Sequence, residues 1–361
     1  MDAAIHTPLC DLLGIRVPIL LAPMAGGPGT PELVAAVTGA GGLGVIGATG
    51  MTCAAVDAAV RRALELAGPP VGVNVLLAPA ESGAGDADAV ERLLAPFRAE
   101  LGLPAGTAAA PASDPPLALV DAALAAGAGV VTTAMGDPAP VAAAARAAGA
   151  PLIAMVSTAE EARRSVAEGA DAVIAQGAEA GGHRATFAAG PEPPLVGTFA
   201  LVPRVVDAID RPVIAAGGIM DGRGLAAALA LGAQGVSLGT RFLLTPESGV
   251  PDVYRSRLLV LEDGETVVTA AVTGRPARWV RNRITDALRA GPASLGWPAQ
   301  AGAVAGIRAG AGEAGDAELL PMLAGQGAGL VGTVRPAGEI VAEIARDAER
   351  ILRGLAPPRG W

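Results

Sequence analysis

Apolar residues in this chain gather in short unbroken runs rather than in strict alternation with polar ones. Eight stand out: Val17–Met24, Leu43–Ala48, Val71–Leu77, Val130–Met135, Leu152–Val156, Ala172–Ala175, Val213–Ala216 and Val236–Leu243. Continuous runs of this length predict strands buried on both faces, as in a parallel sheet. Between them lie Ala-rich stretches that read as helices: Pro31–Thr38, Ala54–Ala67, Ala89–Leu101, Leu117–Ala126, Pro138–Ala148, Ala159–Glu168, Phe199–Ile209 and Gly222–Leu231. Several open with Thr, Ser or Pro and close with Gly, the start and stop signals of helices. In GTPELVAAVTGAGG, Thr30 stands at the N-cap, Pro31 in the first turn, Glu32 toward the positive end of the dipole, and Gly39 at the expected stop.

Eight β/α units within roughly 240 residues are what an α/β fold of the (β/α)8 TIM barrel type requires. A doubly wound sheet alternates too, but the count favours the barrel. Residues 78–116 form a Pro/Gly/Ala-rich excursion around one helix, expected at the surface. After Thr245 the alternation stops. The expected organisation is a barrel core over 1–245, a helical and loop-rich insertion on the substrate side over 246–325, and a C-terminal segment over 326–361. In that last segment Ile340, Val341, Ile344 and Ile351 recur at helical spacing, which predicts an amphipathic helix over Pro336–Leu355 that packs back on the barrel.

Composition narrows the chemistry. Hydrophobic residues make up 52% of the chain and aromatics only 2%, so the core must be built of Ala, Val, Leu and Ile. A net charge of −9 argues against a nucleic-acid partner, which wants a basic footprint. The longest uncharged stretch, Leu33–Val56, is broken by repeated glycines and reads as turns and strand, not as a membrane span. MDAAIHTPLC has neither the basic start nor the apolar stretch of a signal peptide. Cys10 and Cys53 form no CxxC, so a reducing, cytoplasmic setting is the expectation. All 26 basic residues are arginine. That excludes Schiff-base chemistry on lysine, a P-loop lysine, and any flavoenzyme that places a lysine at the flavin pyrimidine edge.

Several stretches carry candidate chemistry. Gly39, Gly41 and Gly44 match G-x-G-x-x-G, but they follow a helix and precede a strand, the reverse of a dinucleotide turn, and read as a helix end and tight turn. AAGGIMDGRG over 215–224 and SLGTRF over 237–242 end the last two predicted strands. In a barrel those loops form the phosphate site, where Gly217, Gly218, Gly239 and Thr240 offer backbone N–H groups and one hydroxyl, with Arg241 nearby; two ordinary glycine turns are the alternative. Pro23, Met24 and the glycines after them end the first strand and let a flat ligand approach the backbone. Asn74 is a lone amide in an apolar run, serving either a neighbouring loop or the rim of a heterocycle. In AQGAEAGGHRATF, His183 follows a Gly181-Gly182 pair and Gln176 closes the sixth strand, where its amide can contact a planar ring. His183 is either a hydrogen-bonded loop residue or an acid, base or donor working near neutral pH. The other histidine, His6, stands far away, so no metal is implied.

Taken together, PILLAPMAGG, GGLGVIG, VGVNVLL, AQGAEAGGHR, PVIAAGGIMDGRGLAAALALGAQGVSLGTRFLLTPES, GRPARWVRN and AGQGAGLVG resemble the nitronate monooxygenase family, formerly 2-nitropropane dioxygenases, relatives of flavin-dependent enoyl-ACP reductases. The resemblance spans most of the chain. It implies FMN, with the phosphate at Gly218 and the Ser237-Leu238-Gly239-Thr240 stretch, and with Pro23, Met24, Asn74, Gln176 and Gly181 against the isoalloxazine and ribityl groups. It implies that His183 is the active-site histidine, and that an alkyl nitronate is oxidised with O2 to a carbonyl compound and nitrite. Ser237-Leu238 stands where some members carry Gln-Met, a contact made largely by backbone, and the tail lysines of some members have no match. A homodimer is compatible with the resemblance. Two other readings stay open: an NAD(P)H-dependent quinone or enoyl-thioester reductase with the same barrel and FMN, and a flavin-free barrel that binds a phosphorylated ligand without redox chemistry.

Overall fold

The computed structural model describes residues 5–80, 83–104, 106, 113–187 and 192–355; part of the 78–116 excursion therefore lies outside the described residues. Eight parallel strands, β1 (Ile19–Leu21), β2 (Gly44–Gly47), β3 (Val71–Leu76), β4 (Val130–Ala134), β5 (Leu152–Val156), β6 (Ala172–Gln176), β8 (Val213–Ala216) and β9 (Gly235–Leu238), run in the order β1-β9-β8-β6-β5-β4-β3-β2. A parallel bridge between Leu20 and Leu43 joins the first strand to the chain entering the second and closes the ring. With helices between successive strands, this is a (β/α)8 TIM barrel.

Side chains divide by the alternation along each strand. Ile19, Leu21, Val71, Val73, Val213, Val236 and Leu238 face out into one buried shell with the helices. Leu20, Val45, Ile153, Ile174, Ile214 and Ala216 face into the barrel, whose N-terminal end is stopped by Leu9 and Leu13 of the helix Pro8–Leu13. The C-terminal helix Ala337–Leu355 lays Ile340, Val341, Ile344 and Ala348 into the outer shell.

Three differences from the sequence reading stand out. The run Val236–Leu243 breaks after Leu238, and Thr240–Leu243 is a short helix. The helix from Pro31 is capped by the Thr30 hydroxyl as expected but runs through Gly39; the left-handed turn falls at Gly41, φ 102°. The stretch after Thr245 contains, besides helices, a small antiparallel sheet: β10 (Thr266–Thr269) pairs with β11 (Ala277–Val280), which pairs with β7 (Gly182–His183). Strands of two and four residues leave too little alternation to register in the sequence. Ala277, Trp279 and Val280 of β11, with Tyr254, Leu288, Ile307 and Leu320, build a separate apolar cluster over the C-terminal mouth of the barrel.

Candidate active site

Gln176, at the end of β6, has its register partner in Ala216, which in turn pairs with Ser237. Ser237 also faces Leu20, so all of these point inward. Asn74 sits in the same interior, and its Nδ2 donates to Thr132 Oγ1 on the next strand at 2.9 Å. The loops that follow β6, β8 and β9 leave from the same end of the barrel. His183, Gly218 and Gly239 therefore share one face.

The loop after β6 is held at many points. Gln176 Nε2 donates to the His183 carbonyl at 2.9 Å, and its Oε1 accepts from the Ala185 N–H at 2.9 Å. Arg184 is buried and donates to the carbonyls of Gly177 at 2.6 Å and Gln176 at 2.8 Å. Glu161 accepts from the Thr186 hydroxyl and the Phe187 N–H. Glu179 accepts from the N–H and hydroxyl of Thr198, the first residue of the helix Thr198–Val206. Such cross-bracing removes the conformational freedom that a glycine-rich loop otherwise keeps.

His183 is half-buried in a cage the sequence reading did not assemble. Its Nε2 lies 2.9 Å from Thr273 Oγ1, and its ring meets Trp297 and Trp279 edge-on, with centroids 5.4 and 6.3 Å away. Burial, then the positive charges of Arg275 and Arg308, push its pKa from 6.5 down to about 4. At neutral pH the imidazole is therefore uncharged. The signal available beforehand was scarcity: a chain with three tryptophans places two of them against one histidine.

The loops after β8 and β9 form the second half of the site. Gly217 and Gly218 both adopt positive φ, 112° and 73°. Among the described residues the N–H groups of Gly218, Gly239 and Thr240 donate to no backbone carbonyl. Thr240 Oγ1 accepts from the Gly325 N–H at 2.9 Å, which leaves its own hydrogen for another acceptor. The Ser237 hydroxyl is buried and unpartnered, an arrangement that costs about 1–3 kcal/mol unless something fills it. These donors suit an anionic tail with a hydroxylated linker, so the residues present fit a mononucleotide such as FMN. No group of acidic, His or Cys side chains suited to a metal occurs among the described residues.

Not every expected contact gathers there. Leu238 faces the outer shell, and its carbonyl accepts from Ala22. Arg241 lies within electrostatic reach of Glu343 and Arg335; burial lowers its pKa, and its Nη1 has no partner. Pro23 and Met24 stand half-buried at the mouth of the barrel. The segment Ala324–Gly327 straps the two halves together. Gln326 N–H donates to the Glu179 carbonyl at 2.9 Å, and Gly325 bonds Thr240 as above. Gly181 lies so close beneath the strap that a Cβ there would come within 2.6 Å of Ala324 C and Gly325 N.

A family model described as nitronate monooxygenase matches residues 6–347. A protein of Staphylococcus aureus (strain Newman) described as "Probable nitronate monooxygenase" is 34% identical over 349 residues, 96% of this chain and 98% of that protein. Among solved structures, a nitroalkane oxidase from Streptomyces ansochromogenes superposes with a TM-score of 0.86 at 37% identity, covering 96% of this chain and 99% of that one. FabK from Thermotoga maritima superposes with a TM-score of 0.75 at 32% identity, covering 97% and 98%.

Proposed function

The chain belongs to the nitronate monooxygenase family, and from that premise we propose that it is an FMN-dependent oxidoreductase that oxidises alkyl nitronates with O2 to a carbonyl compound and nitrite. The observation that carries this reading is the meeting, at one end of the barrel, of N–H and hydroxyl donors without acceptors and an imidazole kept neutral at pH 7.

In this reading the phosphate of FMN is held by the N–H groups of Gly217, Gly218, Gly239 and Thr240 and by the Thr240 hydroxyl, with Ser237 on the neighbouring linker. Pro23, Met24, Asn74 and Gly181 border the ring. Gln176 acts mainly through the loop it fixes, since both ends of its amide are taken by main chain. FMN, when bound, supplies the electron acceptor between nitronate and O2. His183 removes the α-proton of a neutral nitroalkane, and the walls of Trp279 and Trp297 keep bulk water from the ring. No helix among the described residues is long and apolar enough to cross a membrane. Cys10 and Cys53 are free thiols, in keeping with a cytoplasmic setting.

The likeness to FabK favours a second reading, an NAD(P)H-dependent reductase on the same FMN barrel. Anaerobic mixing separates the two. Rapid bleaching of the flavin by ethyl nitronate, with slow bleaching by NADH, supports the monooxygenase. The reverse order supports the reductase, and a protein that stays colourless after FMN is added ends both.

A further inference from the structure

Thr273 Oγ1 makes two contacts. It lies 2.9 Å from His183 Nε2 and 3.3 Å from the main-chain carbonyl of Arg275. A carbonyl can only accept, and a hydroxyl has one hydrogen to give. Were that hydrogen aimed at Nε2, the Arg275 carbonyl would face an oxygen lone pair. With the hydrogen on the carbonyl, Oγ1 turns a lone pair to Nε2, and Nε2 must bring the proton. Both contacts are then hydrogen bonds. Nδ1 has no hydrogen-bond partner among the described residues and is not fully buried, so it stays accessible.

We propose that Thr273 is a positioning residue that fixes His183 as its Nε2–H tautomer and so presents the bare Nδ1 lone pair to substrate. The proposal rests on the function proposed above and sharpens it. A lone pair repels a nitronate oxygen and cannot donate to it, so the imidazole acts on the neutral nitroalkane. The Cα–H bond breaks, its proton passes to Nδ1, and the electron pair stays on the substrate as the C=N bond of the nitronate. The Nδ1–H so formed then donates to a nitronate oxygen; no oxidant is consumed in this step.

The position of Thr273 is set by main chain. Its neighbour Gly274 has φ 93°, and a Cβ there would lie 2.2 Å from Gly296 C and 2.5 Å from Trp297 N. The turn is pressed against the backbone that carries Trp297, so hydroxyl and indole are placed around the imidazole together.

The chain has two histidines, so protein labelled with 15N-histidine and carrying its cofactor gives two ring patterns in a long-range 1H–15N correlation; His6→Gln assigns them. The expected pattern for His183 at pH 7 is a protonated Nε2 and a bare Nδ1. Thr273→Val should yield a mixture of tautomers, and Thr273→Ser should restore one. With nitroethane, Thr273→Val should lower kcat about fivefold, the worth of one neutral hydrogen bond, at unchanged KM, whereas turnover of ethyl nitronate, which needs no proton removed, should not fall. A wild-type His183 protonated on Nδ1, or a tautomer unmoved by Thr273→Val, overturns the proposal. The ring pattern decides this even if neither nitroethane nor its nitronate is turned over, an outcome that would sink the proposed function instead.

Discussion

The side-chain amide of Gln176 is spent on the main chain around His183: Nε2 donates to the His183 carbonyl and Oε1 accepts from the Ala185 N–H, each at 2.9 Å. A residue at the end of a barrel strand thus fixes the loop that carries the imidazole. Gln176→Leu would leave the half-buried His183 carbonyl and the buried Ala185 N–H without these partners. The expected cost is about 2–4 kcal/mol of stability, read from the shift in a urea unfolding midpoint. Turnover of nitroethane should fall with it. A variant as stable as wild type would show that the loop holds its shape without this amide.

Gly181 and Gly182 look interchangeable in sequence and are not so in space. A Cβ on Gly181 would meet Ala324 C and Gly325 N at 2.6 Å, whereas a Cβ on Gly182 would meet nothing within 4 Å; its constraint is φ 83° alone. Gly182→Ala should cost about 1–2 kcal/mol, the usual penalty of left-handed backbone for a non-glycine residue. Gly181 has no left-handed backbone, and Gly181→Ala must instead push the 324–327 strap away from Thr240 and Glu179, at about 1–3 kcal/mol. It alone should weaken FMN retention, measured as flavin released on dilution. Equal flavin loss from both variants would argue that the strap does not support the cofactor site.

Much of this arrangement was legible from local signals. Runs such as Leu152–Val156 are buried along their whole length, so continuity in sequence reported burial on both faces. Thr30 and Pro31 announced a helix that begins where they stand. The cage around His183 was not legible, because Thr273, Trp279 and Trp297 reach it only through a sheet in which two residues, Gly182 and His183, pair with a strand some ninety positions later. Register across such a gap is set by tertiary packing and leaves no periodic trace. That the Gln176 amide braces the main chain was not legible for a related reason: an amide at the end of a strand can serve a ligand or a loop, and only the position of the loop shows the second.

The neutrality of His183 has a definite pH signature. Its folded pKa, about 4, lies below the 6.5 of the unfolded chain, through burial first and then Arg275 and Arg308. Between these values the unfolded state binds more protons, so stability falls as pH falls. The contribution is complete above pH 6.5, is lost progressively toward pH 4, and changes no further below. His183→Gln cannot titrate. The difference in unfolding free energy between wild type and this variant should therefore be flat above pH 6.5 and shrink against wild type on acidification. A difference that stays constant from pH 7 to pH 4 would mean that the folded imidazole titrates normally.

Ser237 separates the demands of folding from those of the cofactor. Its hydroxyl is buried inside the barrel without a partner, beside Ala216 and Leu20, while Val236 and Leu238 on either side face the outer shell. An unsatisfied buried hydroxyl opposes folding, so Ser237→Ala should leave the flavin-free protein as stable as wild type or about 1 kcal/mol more so. If the hydroxyl meets the ribityl chain or phosphate of FMN, the same change should raise the Kd for FMN roughly fivefold, one lost hydrogen bond. The two effects have opposite signs, and a general packing defect cannot produce both. Thermal unfolding of the flavin-free forms and flavin fluorescence titration of each would read them separately. An unchanged Kd would place the cofactor away from this strand end and leave the glycine N–H groups of the last two barrel loops to bind some other anion.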